Sequence, residues 1–155
     1  MQRTCIAVVD ATRARLFTFD RTSDVGAIHE ELAERTDLVN PSRRQTPAQL
    51  FSESHSGTNI TGGGRHYSFD DHRAAHLDAI DLEFARKIID AIERTVRETG
   101  AHRLIVCASP RMLGELRALD LDREGLAIDE LARDYVKLTP PQIHEQLVEH
   151  GLLPQ

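Results

Sequence analysis

At 155 residues, with 40% hydrophobic and 28% charged side chains, the chain is long enough for one domain with an ordinary buried core. The absence of Trp and the 5% aromatic share leave that core to Leu, Ile, Val and Ala. A net charge of −6 excludes a broadly basic nucleic-acid-binding surface, but a local basic patch from Arg43, Arg44, Arg65 and Arg73 remains open.

Met1-Gln2-Arg3-Thr4 leads into only five apolar residues, so no secretory signal is read and a cytoplasmic location is expected. Those residues, Cys5–Val9, have the continuous apolar pattern of a strand buried on both faces. Asp10-Ala11-Thr12-Arg13 reads as a turn in which Asp10 accepts from backbone donors ahead of it. Ala14–Asp20 then alternates, with Ala14, Leu16 and Thr18 on one side and Arg15, Phe17 and Phe19 on the other. This predicts a second strand antiparallel to the first. Ala27–Asp37 has some helical spacing at Ile28, Leu32 and Arg35, but a third strand completes the sheet better.

A polar stretch without hydrophobic periodicity follows, from about 38 to 71, and contains Gly62-Gly63-Gly64-Arg65-His66. Long loops inside compact domains are usually functional or disordered. Three glycines remove every side chain from a short piece of backbone, and Arg65 and His66 add a fixed cation and a titratable ring. A helix is predicted from about His72 to Thr99 by Leu77, Ile80, Phe84, Ile88 and Ile92, with Gly100 as its stop. Arg103–Ala108 is a second buried strand. Ser109-Pro110 then gives an N-cap and first-turn proline for a helix through Met112, Leu113 and Leu116. Leu126–Leu131 reads as a final strand, and Thr139-Pro140-Pro141 opens a closing helix stopped by Gly151. The order β-β-β-loop-α-β-α-β-α predicts a single α/β domain over 1–155. Its mixed sheet has an N-terminal antiparallel meander followed by βα units. No apolar stretch reaches membrane-span length.

Several chemistries are open. The glycines form neither a P-loop nor G-x-G-x-x-G, so they read as a hinge or as bare backbone offered to a ligand. His55, His66, His72 and His76 cluster, yet His72-Arg73-Ala74-Ala75-His76 lacks the zinc-protease glutamate. Solvated histidines, with no metal or other cofactor, are the expectation. Asp10, Arg13, Ser109 and Arg111 follow two strands; if these are neighbours, the arginines could converge on an anion at the helix start. The simpler alternative pairs Arg13 with Asp10 and leaves Ser109 as a cap. Ser109 is not in G-x-S-x-G. Cys5 and Cys107 read as buried reduced thiols, with a disulfide open if their strands adjoin.

Five segments occur in the order of a known family. They are Asp10-Ala-Thr-Arg-Ala-Arg-Leu-Phe17, Asp37-Leu-Val-Asn-Pro41, Gly62-Gly-Gly-Arg-His66, Ala108-Ser-Pro-Arg-Met-Leu-Gly114 and Asp134-Tyr-Val-Lys-Leu-Thr139. From about Ile6 to Leu147 the chain resembles the bacterial host attachment proteins, a group placed with bacterial relatives of the archaeal and eukaryotic peptide release factors. The resemblance implies a release-factor middle-domain fold and a loop resembling Gly-Gly-Gln, which serves ester hydrolysis at the ribosome. Here the matching stretch is Gly63-Gly64-Arg65, with arginine in the glutamine position. The expectation is therefore a non-enzymatic factor that meets RNA or the ribosome through Gly62, Gly63, Gly64, Arg65 and His66. A protein-interaction module with an indirect role in attachment is the alternative, and an ester or phosphate hydrolase the weaker one. Oligomeric state is not legible.

Overall fold

The structure, a computed structural model, describes residues 2–41, 65–119 and 125–155, and for residues 65–81 the backbone alone. Five strands form one mixed sheet in the order β3-β2-β1-β4-β5. They are β1 (Gln2–Val9), β2 (Arg13–Asp24), β3 (Ala27–Val39), β4 (Arg103–Ala108) and β5 (Ala127–Leu131). Among the described residues three helices cover them: α1 (Arg65–Thr99), α2 (Pro110–Ala118) and α3 (Pro140–Glu149). β1 pairs antiparallel with β2 and parallel with β4, so the meander and the βα units share one central strand.

The apolar runs of β1 and β4 are continuous because both faces of the sheet are covered. On one face Cys5, Ala7, Val9, Leu104 and Val106 meet Phe84, Ile88 and Ile92 of α1 and Met112, Leu113 and Leu116 of α2. On the other, Ile6, Val8, Phe17, Ile105 and Cys107 meet Tyr135, Val136, Ile143 and Leu147. Each fully buried Ile or Leu stabilises the fold by about 1.5–3 kcal/mol. Alternation along β2 divides its side chains between these layers, as its sequence predicts.

Two boundaries differ from the sequence reading. β3 continues to Val39, and α1 begins at Arg65, so the loop placed at 38–71 is shorter at both ends. No Gly or Pro interrupts Arg65–Asp71, so nothing local stops the helix before Gly64. Gly100 and Gly151 carry φ of 70° and 71°, the left-handed geometry that ends a helix. Leu77 and Ile80 lie outside the described side chains.

The β2–β3 pairing contains a bulge. Leu16 faces Thr36 and Phe17 faces Glu34, which leaves Arg35 as the extra residue on β3. Beyond Arg21 the hairpin outruns β1 and closes through Val25-Gly26, where both residues have positive φ and Val25 is fully exposed.

The cysteines sit on neighbouring strands but opposite faces of the sheet, and both thiols are free. Adjacent strands are thus not enough for the disulfide left open by sequence. Burial pushes each thiol from the usual value of 9.0 up to about 12. Neither should react with a thiol-exchange reagent at pH 8 in folded protein, and both should react in guanidinium. Because the folded pKa values are raised, their contribution is intact below 9.0 and is lost as pH rises towards about 12. Fast labelling of folded protein would contradict the packing of β1 and β4.

Candidate functional site

β1, β3 and β4 all stop at the same end of the sheet, where Val9 lies level with Ala108 and Arg13 with Val39. At this end Asp10 organises the β1–β2 turn. Its Oδ1 accepts from Thr12 N at 2.8 Å, Thr12 Oγ1 at 2.7 Å and Arg13 N at 2.7 Å. Asn40, only 3% exposed, reaches back across that turn. Its backbone N–H donates to Thr12 O at 2.8 Å and its Nδ2 to Ala11 O at 3.0 Å. The chain therefore leaves β3 held by these hydrogen bonds before it enters the segment that carries the glycines.

Arg13 and Arg15 alternate with Ala14 and share the α3 face. The Arg13 guanidinium donates from Nε and Nη2 to both oxygens of Asp37, at 2.8 and 2.6 Å. The Arg13 pKa is raised, first by the Asp37 hydrogen bond, with the charges of Asp37, Glu34 and Asp10 adding to it against the opposing effect of burial. Arg15 is 6% exposed and works harder. It forks onto Glu34 at 2.8 and 3.2 Å, and its Nη1 donates to Val136 O at 3.0 Å and Leu138 O at 2.6 Å. Its guanidinium also lies 5.0 Å from the Phe17 ring centroid. β2 is thereby tied to the 131–139 segment, where Tyr135 is buried and its phenol pKa is raised, chiefly by that burial.

Ser109 caps α2: its Oγ accepts from Met112 N at 3.3 Å. It stands beside the Asp10 turn because β1 and β4 are neighbours, as the anion-site reading requires. The Arg13 guanidinium, however, is engaged by Asp37 on the other face of the sheet from α2, whereas Asp10 meets the Arg13 backbone. Arg111 is exposed on the first turn of α2. The structure brings Asp10 and Ser109 to one sheet end but does not direct Arg13 at the helix start. Arg65 and His66 begin α1; their side chains, with those of His72, Arg73 and His76, lie outside the described residues, as do Gly62, Gly63, Gly64, Arg43, Arg44 and His55. Among the described residues no group of three or more His, Cys, Asp or Glu is placed to hold a metal.

Four of the five sequence segments singled out above thus meet here. Asp10–Phe17 supplies the turn and two arginines, and Asp37–Pro41 the carboxylate and clamp. Ala108–Gly114 adds the helix start, and Asp134–Thr139 the carbonyls. The fifth follows from Asn40-Pro41. Sequence reasoning missed Arg15 and Asn40; the available signal was basic residues at 13 and 15 opposite acidic ones at 34 and 37.

Charge is divided unevenly along the chain. Residues 42–66 hold three arginines against one glutamate, net +2, while the remainder holds 16 basic against 24 acidic residues, net −8. Among the described residues Arg3, Arg13, Arg15, Arg21, Arg103 and Arg117 are each paired with a carboxylate. No described helix is long and apolar enough to cross a membrane.

No curated protein matches the chain. The model of one family, described as protein required for attachment to host cells, matches residues 5–147. That span takes in every element from β1 to most of α3, including all four converging segments, and the chain belongs to this family of proteins required for attachment to host cells.

Proposed function

We propose that the protein is a non-enzymatic binding factor that works in the cytoplasm and meets structured RNA or the ribosome through the segment carrying Gly62, Gly63, Gly64, Arg65 and His66. The observation that carries this reading is the concentration of positive charge in residues 42–66 of an otherwise acidic chain. The Asp10–Asn40 clamp supports it, because it fixes where that segment leaves the sheet. The resemblance to release-factor relatives points the same way. Arg65 in the glutamine position, and the use of Ser109 Oγ as a helix cap, argue for binding without hydrolysis.

Co-sedimentation with ribosomes tests the reading. The native protein should pellet with ribosomes at low salt, and each lost arginine–phosphate contact should flatten the logarithmic salt dependence by about one. Arg65→Ala combined with Arg43→Ala and Arg44→Ala should abolish pelleting. Equal pelleting of this variant and the native protein would remove the segment from the function.

A second reading, a protein-interaction module acting indirectly in attachment, is favoured by the described arginines. Six of them are bound to carboxylates of the same chain and so are poorly placed to contact phosphate.

A further inference from the structure

β3 is an edge strand, and its outer row of backbone donors and acceptors has no backbone partner among the described residues. Native edges are usually blunted by proline, lysine, bulges or brevity. Here the bulge at Arg35 interrupts only the later part of the strand. Ala27–Glu34 is left as a regular edge with no Pro, Lys or Arg and with three glutamates, Glu30, Glu31 and Glu34.

Beside this edge, on the α3 face, a cavity of about 240 Å³ opens between the sheet and α3. Phe19, Leu32, Pro140 and Pro141 form apolar walls, and Glu30 and His144 supply the polar groups. The His144 ring stacks on Phe19 with centroids 5.4 Å apart. Its Nε2 is buried with no hydrogen-bond partner among the described residues and lies 4.0 Å from Glu30 Oε2, too far for a bond between them. Glu30 Oε1 faces Arg21 Nε at 3.4 Å, and Glu30 lines the cavity. A cationic N–H group entering the cavity finds the Glu30 carboxylate as its acceptor.

We propose that the β3 edge at Ala27–Glu34 receives an extended segment of a partner protein as an added strand, and that the cavity takes a lysine or arginine side chain from that segment. Strand addition draws affinity from main-chain hydrogen bonds and specificity from pockets for alternate side chains. An added strand lies about 4.8 Å outside β3, so a long side chain is needed to cross β3 and reach His144. The apolar walls suit its methylene stem and Glu30 its charged head. The stretch carries three glutamates and no Lys or Arg, so its own charge favours a basic segment, although Glu30 and Glu34 already face Arg21 and Arg15. A second copy of β3 would bring only more glutamate over this stretch, with no Lys or Arg to meet it.

The test is titration of isotope-labelled protein with a blocked pentapeptide carrying a central arginine between valines and threonines, followed by NMR. Amide shifts should map to Ala27–Glu34 and ring shifts to His144. Replacing the peptide arginine by leucine should weaken binding by about tenfold or more, as loss of a charge-assisted hydrogen bond requires, and Glu30→Gln should weaken the arginine peptide similarly. Equal affinity for the two peptides would overturn the cation pocket without depending on any protein variant. Shifts away from β3, or none, would overturn strand addition.

Discussion

Arg15→Met should lower folding stability by about 3 kcal/mol, read as a fall in the urea midpoint at unchanged slope. The side chain is 6% exposed and donates to Glu34 and to the Val136 and Leu138 carbonyls. Methionine keeps much of the volume but none of the donors, so two carbonyls lose a partner where water has little access. The figure sits at the low end for a broken buried pair because the Glu34 side chain is 32% exposed and recovers hydration. Glu34→Gln should accordingly cost only about 1 kcal/mol, since Arg15 retains its carbonyl contacts. If Arg15→Met falls within about 0.5 kcal/mol of the native protein, the tie between β2 and the 131–139 segment is not a stability determinant.

Asn40→Ala should cost about 2 kcal/mol, and hydrogen exchange at the β1–β2 turn should quicken with it. The substitution removes the Nδ2 donor to Ala11 O and loosens the backbone bond from Asn40 N to Thr12 O. Asp10 holds the same turn from within, through three bonds to one oxygen. Asp10→Ala and Asn40→Ala should therefore be non-additive, with a coupling of about 1 kcal/mol in a double-mutant cycle. Strict additivity would mean that the turn and the exit of β3 move independently. The proposed function adds a second readout: a loosened clamp should weaken ribosome pelleting without removing any cation.

Elements whose signals are local were legible in the sequence. Continuous apolar runs located β1 and β4, the spacing of Phe84, Ile88 and Ile92 located the packed part of α1, and Ser109-Pro110 announced α2. The start of α1 was less visible because in Arg65–Asp71 the two rings, Tyr67 and Phe69, are two positions apart and give no helical spacing, so only the lack of Gly or Pro marks it as helical. At the site, Asp10 as a turn residue was readable from its position. The Arg13–Asp37 pair was not, because it depends on a hairpin register shifted by the bulge at Arg35. Arg15 was hidden for a related reason. In an alternating strand a charged residue reads as solvent-facing, and the carbonyls that bury this one lie 121 and 123 positions away.

The placement of β1 in the sheet also governs how the chain assembles. β1 can pair at once with β2, which follows it directly, but its other neighbour, β4, is separated from it by the whole meander and α1. At a synthesis rate of about 5–20 residues per second, the roughly one hundred residues between matching positions take about 5–20 s to emerge. For that interval the newborn meander carries a bare apolar flank on the strand destined for its centre. The same architecture that gives the mature sheet its doubly covered middle makes the half-made chain adhesive, so rapid completion through β4 matters more to a good yield than the strength of any single contact.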